Sequence, residues 1–243
     1  MTDEASRLRD LLHGSERAIV LTGAGISTES GIPDFRSGRG IWSEFDPMEV
    51  GHISAFRRDP ARVWRFYRLR IDVVRQAEPN AGHRALATLE RDGRVARVIT
   101  QNVDGLHRAA GSDALEVHGS LDRVDCLDCG ARLPIAEAER RMSGDVDGVP
   151  HCDCGAPLKP GVVMFGEMLP EAVIDEAFRL AGTCDLMIAA GSTLEVHPVA
   201  SLPEVASRAG AALAIVNRGP TAYDDACDLR IEGALGDVLP RIV

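Results

Sequence analysis

The segment AIVLTGAG, residues 18–25, runs from an unbroken apolar stretch directly into small and polar residues. Three later segments repeat this pattern: VARVITQNVDG at 95–105, LMIAAGST at 186–193 and LAIVNRG at 213–219. Apolar runs without polar alternation are typical of strands buried on both faces, as in parallel sheets. The sequence therefore predicts an α/β fold, a Rossmann-like parallel sheet flanked by helices, with a ligand at the carboxyl ends of its strands.

Length and composition limit the domain count and the classes of function. A chain of 243 residues is long enough for one full α/β domain with small insertions. The net charge of −10 argues against a nucleic-acid-binding surface. No stretch approaches 18 apolar residues and no signal-peptide pattern opens the chain, so we expect a cytoplasmic protein without a membrane segment. The oligomeric state is open, and a monomer is plausible.

Two interruptions of the strand–helix rhythm indicate insertions. Residues 45–78 lack the strand pattern and are rich in apolar side chains at helical spacing. Residues 123–159 contain four cysteines but few large apolar side chains, so this segment needs a further source of stability. We predict a small domain made of these two insertions, and a large domain made of residues 1–44, 79–122 and 160–243.

The loop after the first strand has features of a phosphate-binding turn. Glycine permits positive φ and close approach of a phosphate to the backbone, which suits Gly23 and Gly25 in TGAGIS. The G-x-G-x-x-G fingerprint is incomplete because residue 28 is Thr, and this weakens the interpretation as a hydride-transferring dehydrogenase. A tight turn without a ligand is the alternative reading of the glycines.

Polar residues after this loop indicate a mobile lid beside the ligand. They flank a Gly-Ile-Pro break in regular structure: Ser27, Ser30, Asp34 and Arg36. Phe35 in the same loop could cover an aromatic ring.

Polar side chains after other predicted strands are candidates for chemistry. His118 follows the apolar segment ALEV, and an imidazole with a pKa near 6.5 suits proton abstraction near neutral pH. A strand-end histidine bonded to the backbone is the alternative. Gln101, Asn102 and Asp104 follow a buried strand and could bond a ribose and a carboxamide, or could only stabilise an Asx turn.

The cysteine cluster predicts a metal site. Cys126-x-x-Cys129 followed by glycine is a zinc-knuckle pattern. The preference of zinc for thiolates favours Cys152 and Cys154 as the other two ligands, with His151 in place of Cys152 as the open alternative. A disulfide cluster is the remaining reading, disfavoured in a reducing compartment. Four protein ligands leave no open coordination position, so the metal should be structural.

Two segments are candidates for substrate binding. Residues 162–167, VVMFGE, have the composition of an edge strand that a peptide could join by main-chain pairing, or of an ordinary sheet strand. Tyr67 and Arg70 lie three residues apart on one predicted helical face. Together they could bind a carboxylate, because Arg pairs with it in a bidentate manner. A solvated Arg beside a core Tyr is the alternative.

Several of these motifs together resemble one family. GAGISTESGIPDFRSGRGIW, residues 23–42, closely resembles the cofactor-binding segment of the sirtuins, which are NAD-dependent protein-lysine deacylases. The resemblance extends, in the same order, through TQNVDGLH at 100–107, EVHG at 116–119, the cysteine cluster, VVMFGEMLP at 162–170, GSTLEVHPVASLP at 191–203 and IVNRGPT at 215–221.

The resemblance implies roles for the residues that match its motifs. His118 would be the general base, with Asn102 and Asp104 as further catalytic residues. The implied NAD contacts are Gly23, Ala24, Gly25, Ser27, Asp34, Phe35, Arg36, Trp42, Gln101, Asn102, Val103, Asp104, Gly191, Ser192, Thr193, Asn217, Arg218, Gly219 and Ala234. The implied contacts to the acylated lysine are Tyr67, Arg70, Val162, Phe165, Gly166 and Glu167.

The resemblance also implies a reaction. The acyl oxygen of a modified lysine attacks the nicotinamide ribose of NAD, nicotinamide leaves, and the products are O-acyl-ADP-ribose and free lysine. Tyr-x-x-Arg resembles a sirtuin class that acts on succinyl and malonyl lysine, so we expect desuccinylation and demalonylation besides deacetylation. The alternatives are protein ADP-ribosylation and a non-enzymatic NAD-sensing module, the latter disfavoured because a module that only binds needs no base.

Overall fold

The structure is a computed structural model that describes residues 2–35, 37–38, 40–143 and 146–243. Its helices are α1 (Thr2–Gly14), α2 (Pro47–Val50), α3 (Ile53–Arg58), α4 (Pro60–Gln76), α5 (Ala81–Arg91), α6 (Leu106–Ala109), α7 (Ile135–Met142), α8 (Glu171–Ala181), α9 (Leu202–Arg208) and α10 (Leu235–Val238). Its strands are β1 (Ala18–Thr22), β2 (Arg97–Thr100), β3 (Leu115–Glu116), β4 (Gly119–Cys126), β5 (Arg132–Pro134), β6 (Leu158–Val162), β7 (Leu186–Ala190), β8 (Ala212–Val216) and β9 (Leu229–Ile231). Short 3-10 helices cover Ala24–Ser30, Ile41–Ser43, Val199–Ser201 and Leu239–Arg241.

The large sheet has the order β3-β2-β1-β7-β8-β9 in the described part of the chain, and its paired strands are parallel. Every residue of β1 and β7 is buried. The predicted parallel sheet is therefore confirmed, and each of the four apolar segments that predicted it overlaps one of its strands.

Helices cover both faces of the large sheet, which explains the lack of polar alternation in its strands. One face packs against Leu8 of α1 and Leu86 of α5. The other face packs against Ala177 of α8 and Leu202 of α9. Helix α5 begins with a capping box in which the Asn80 side chain accepts from the backbone N–H of residue 83.

A small antiparallel sheet of order β5-β4-β6 packs with α3, α4 and α7. Trp64 of α4 is buried in this core and donates its indole N–H to the carbonyl oxygen of Leu158, at 2.8 Å. The sheet extends from Gly119 to Val162, slightly beyond both ends of the predicted cysteine-rich insertion. The hydrophobic core of this small domain contains residues from both insertions.

Within the residues that the structure describes, no helix combines the length and the apolar character needed to cross a bilayer.

Candidate active site

A cavity of about 1360 Å³ lies between the carboxyl edge of the large sheet and the small domain. Most of the residues predicted from the sequence line it. Those from the cofactor prediction are Gly23, Ala24, Gly25, Asp34, Phe35, Trp42, Gln101, Asn102, Val103, Gly191, Ser192, Thr193, Asn217, Arg218, Gly219 and Ala234. Those from the substrate and base predictions are Tyr67, Arg70, Val162, Phe165, Gly166, Glu167 and His118.

Two predicted residues lie behind the cavity wall instead of lining it. Ser27 is only 1% exposed, so it belongs to the interior and not to the polar lid that the sequence predicts. Its Oγ donates to Asp104 Oδ2 at 2.7 Å and accepts from Asn102 Nδ2 at 3.0 Å. Ser27 and Asp104 therefore hold the Asn102 amide from behind. Arg36, also predicted to contact NAD, lies outside the described residues.

The glycines of the first loop permit a close approach of two backbone segments. A Cβ added to Gly23 would lie 2.7 Å from the carbonyl oxygen of Gly191, and one added to Gly25 would lie 2.7 Å from Gly191 Cα. Neither glycine has positive φ, whereas Gly191 does, at 68°. The prediction of positive φ at these two glycines is therefore wrong. The structure shows that they let the loops after β1 and β7 meet, while the close approach of a ligand stays a prediction.

The geometry at His118 sets its tautomer. Its Nδ1 lies 3.1 Å from the carbonyl oxygen of Gln101, which can only accept a hydrogen bond, so Nδ1 is assigned the proton. In the neutral ring Nε2 then has a free lone pair, on a side chain that lines the cavity. Burial lowers the pKa of His118, with partial compensation from the bond to Gln101. The imidazole is therefore neutral at pH 7 and able to accept a proton.

Gln101 connects the loops that follow β2 and β7. Its Nε2 donates to Ser192 Oγ at 2.9 Å, while its backbone N–H donates to the Thr22 carbonyl oxygen at 2.9 Å. The Asn102 backbone N–H donates to Thr100 Oγ1 at 3.1 Å. These bonds align polar groups from β1, β2 and β7 along one edge of the sheet, as the strand-end pattern predicts.

The loop after β8 is held by a residue that the sequence analysis did not identify. Arg230 of β9 donates to the carbonyl oxygens of Asn217 at 3.0 Å and Gly219 at 2.6 Å, and pairs with Asp224 at 2.9 Å. It does not line the cavity, so its role is to support the residues that do. No local motif marks it, because the two carbonyl groups that it binds lie 13 and 11 residues earlier.

Tyr67 and Arg70 of α4 meet beside Phe35 at the cavity wall. The Arg70 guanidinium carbon lies 5.3 Å from the centre of the Phe35 ring. Burial lowers the pKa of Arg70, partly offset by Tyr67 and Asp104. Burial also raises the pKa of Tyr67, so its phenol keeps the proton. Both residues line the cavity, and their role in binding an acyl carboxylate stays a prediction.

The segment that carries Phe165 and Gly166 departs from the predicted strand. Strand β6 covers Leu158–Val162 and lies at the edge of the small sheet, so only its last residue overlaps the predicted strand. Beyond it the Phe165 backbone donates to the Gly51 carbonyl oxygen and accepts from the Ile53 N–H, each at 2.9 Å. Gly166 then adopts a φ of 82°, which ends the extended run.

A buried lysine supports this segment, and the sequence analysis did not identify it. Lys159 is 3% exposed, and its Nζ lies 3.1 Å from Glu167 Oε2. A sequence signal was present, because Lys159 is the single lysine among the 27 basic residues of the chain. Cavity residues that were not predicted include Thr28, Glu29, Leu121, Leu169, Glu195 and His197.

The four predicted cysteines converge in the small domain. The Sγ atoms of Cys126, Cys129, Cys152 and Cys154 all lie within 4.8 Å of one another, and two of the pairs are 3.6 Å apart. A tetrahedral zinc site with Zn–S bonds of about 2.3 Å has sulfur–sulfur edges of roughly 3.8 Å, so this cluster fits a structural zinc ion. His151 lies outside the cluster, with Nδ1 3.1 Å from the carbonyl oxygen of Val149.

Comparisons with known proteins agree with this geometry. The model of the Sir2 family matches residues 23–198. The NAD-dependent protein deacylase 2 of Archaeoglobus fulgidus is 47% identical over 247 residues, which cover 100% of this chain and 96% of that protein. The NAD-dependent protein deacetylase of Chromobacterium violaceum is 46% identical over 240 residues, which cover 97% of this chain and 95% of that protein.

A solved structure of a Sir2 protein with a p53 peptide and NAD+ has the same fold. It superposes with a TM-score of 0.89 at 38% identity, covering 97% of this chain and 95% of that one. The family match spans well over half of the chain, and the identities extend along nearly its full length. The chain therefore belongs to the Sir2 family, the sirtuins, and is an NAD-dependent protein deacylase.

Proposed function

We propose that this enzyme removes succinyl and malonyl groups as well as acetyl groups from protein lysines, producing nicotinamide, O-acyl-ADP-ribose and free lysine. The observation that carries the acyl preference is the environment of Arg70. Its guanidinium lies at the wall of the cavity, and none of the described carboxylates is within ion-pair distance, 4.0 Å, of it. A partly buried cation without a counter-ion is costly, and the carboxylate of a bound acyl group would supply one.

The neighbours of Arg70 suit a planar anion. Phe35 stacks near the guanidinium and limits its movement, so its N–H groups are held ready for two carboxylate oxygens. The Tyr67 phenol, protonated because of its raised pKa, can donate a further hydrogen bond. An acetyl group needs none of these donors. The pair is therefore expected to affect acidic acyl groups selectively.

In the proposed reaction His118 acts as the general base. NAD supplies the electrophilic ribose carbon and the nicotinamide leaving group, and one water molecule is consumed when the lysine amine is released and the ester of O-acyl-ADP-ribose remains. The neutral Nε2 of His118 takes the proton of a ribose hydroxyl, and Gln101 stabilises the charged ring through Nδ1–H. The Asn102 amide, held by Ser27, and Gln101, held by Ser192, are placed to orient the nicotinamide and its ribose.

A panel of acyl peptides tests the acyl preference. Arg70→Met should lower kcat/KM for succinyl and malonyl peptides roughly 10- to 100-fold, since a charge-assisted hydrogen bond contributes about 1.5–3 kcal/mol. Deacetylation should change little. Arg68→Met is the matched control, because this exposed arginine lies on the same helix and does not line the cavity. Equal losses on acetyl and succinyl peptides would contradict a carboxylate-binding role.

Product analysis tests the reaction itself. His118→Ala should lower product formation by about 10²- to 10⁴-fold, the usual contribution of a general base. Mass spectrometry of the wild-type reaction should find O-acyl-ADP-ribose. ADP-ribosylated protein as the main product would favour a transferase instead, and no nicotinamide release with any acyl peptide would contradict both reactions.

A further inference from the structure

We propose that Lys159 is a positioning residue that holds the segment 162–167 in the conformation that binds the acylated lysine. This inference rests on the proposed substrate role of that segment. Lys159 lies behind the segment and does not line the cavity, so it would act through its neighbours and not by touching substrate.

The ammonium group of Lys159 is fully coordinated inside the protein. Its Nζ donates to the carbonyl oxygens of Pro160 at 3.0 Å and Val162 at 2.5 Å. The third partner is Glu167 Oε2, at 3.1 Å. An ammonium has three N–H donors, and three acceptors surround it. The side chain thereby ties the end of β6 to the end of the substrate segment.

Glu167 completes the same closed turn. Its Oε2 also accepts from the Met164 backbone N–H at 2.8 Å, while its own N–H donates to the Met164 carbonyl oxygen at 3.0 Å. One carboxylate oxygen thus binds both Met164 and Lys159. The sequence analysis placed Glu167 among the substrate contacts; the structure indicates that its carboxylate maintains the shape of the segment.

The turn controls what the segment presents to the cavity. Phe165, at its apex, is 40% exposed and lines the cavity. The Val163 N–H donates to the carbonyl oxygen of His118 at 2.8 Å, so the segment also contacts the backbone of the candidate base. Release of the Lys159 end would let Phe165 and its neighbours adopt other conformations. Substrate binding would then have to order them, which weakens affinity.

Composition supports a specific need for lysine at this position. The other 26 basic side chains of the chain are arginine, and most of them are on the surface. Arginine would bring five N–H donors in a rigid plane to a site with three acceptors. Two donors would then be buried without partners. The three donors of a compact ammonium match the three acceptors around it.

Steady-state kinetics with an acetyl peptide at saturating NAD test the role. Lys159→Met should raise the peptide KM about tenfold, equivalent to roughly 1.4 kcal/mol, and change kcat less than about threefold. NAD affinity, measured by calorimetry, should be unchanged. The variant also leaves Glu167 buried without its cation, so its melting temperature should fall.

A double variant separates positioning from stability. Lys159→Met/Glu167→Gln removes both charges, and the glutamine carbonyl can still accept from Met164. Its melting temperature should return toward the wild-type value, while the peptide KM stays raised because the tether is lost. Leu12→Ala, a cavity variant in α1 far from the segment, controls for lost stability and should leave the peptide KM unchanged.

Three results would overturn the inference: a wild-type peptide KM in the double variant, a similar KM increase in Leu12→Ala, or a parallel loss of NAD affinity in Lys159→Met. Failure of the proposed function is recognised separately, from the wild-type enzyme. If the wild type releases no nicotinamide in the presence of acyl peptides, the deacylase reaction itself is wrong, and the assignment of the segment to substrate binding fails with it.

Discussion

The two walls of the active-site cavity are stabilised in different ways. The large sheet forms the wall proposed to bind NAD, called the cofactor wall, and its central strands β1 and β7 are buried at every position. The small domain forms the wall proposed to bind the acylated lysine, called the substrate wall, and its longest strand, β4, has exposed and half-buried positions. Apolar burial therefore stabilises the central strands of the cofactor wall. The second wall depends on localised contacts: a cysteine cluster and the buried pair of Lys159 and Glu167.

Each wall nevertheless has one internal cation that anchors backbone carbonyls. Arg230 binds the carbonyl oxygens of Asn217 and Gly219 on the cofactor side. Lys159 binds those of Pro160 and Val162 on the substrate side. Carbonyl groups in loops, and those on the outer side of an edge strand such as β6, have no partner in the hydrogen-bond ladder, so they need other donors. The comparison indicates that each cation determines the shape of one binding surface.

Removal of the metal site should produce the largest difference between the two walls, because it should unfold the substrate wall and leave the cofactor wall folded. Cys129→Ser is expected to unfold residues 119–162 and lower activity by at least about 100-fold, since structural zinc contributes on the order of 10 kcal/mol to folding. Hydrogen exchange should show lost protection in β4–β6 but retained protection in β1 and β7. Cys227→Ser, outside the cluster, is the control and should retain zinc and activity. Full protection of β4–β6 in Cys129→Ser would contradict the comparison.

Arg230→Gln should produce the counterpart of the Lys159 effect on the cofactor wall. We expect about a tenfold rise in the KM for NAD with an unchanged peptide KM, because loss of one tether weakens binding by roughly 1.4 kcal/mol. Both constants are measured with the same acetyl peptide. Equal increases in the two would mean that the walls are not independent.

The pH dependence of the reaction should reflect the burial of His118 at the junction of the walls. Only the neutral imidazole can accept a proton, and burial lowers its pKa below the ordinary 6.5. Activity is thus retained as the pH falls through 6.5 and is lost only below the lowered pKa. The acid limb of kcat/KM on an acetyl peptide, which has no acyl carboxylate to titrate, measures this. An inflection at or above 6.5 would contradict it.

The smallest expected effect is the chemical protection of the single lysine. Lys159 is 3% exposed, so an amine-reactive acetylating reagent should not modify it in the native enzyme. In denaturant it should react like any lysine. Peptide mass spectrometry after each treatment measures the difference. Equal labelling in both states would mean that the substrate wall opens readily, and that Lys159 does not anchor it firmly.

The regular elements were predictable where local pattern and burial agree. The four apolar segments that predicted a parallel sheet supply β1, β2, β7 and β8. The conformation of residues 162–167 was less predictable. Their composition predicts a regular strand, but β6 ends at Val162 and the extended run ends at Gly166. This conformation depends on Gly51 and Ile53, which lie more than a hundred residues earlier.

By itself, the sequence predicted most of the residues that line the cavity, because buried parallel strands must bring the polar residues that follow them to one edge of the sheet. It also favoured four thiolate ligands, with His151 left open in place of Cys152, and the fold brought the four cysteines together. Only the tertiary structure decided that Ser27 and Asp104 support Asn102 from behind, and that Lys159 and Arg230 anchor the two walls. These roles arise from contacts between distant segments, where the partner of a buried polar group is set by packing and not by neighbours along the chain.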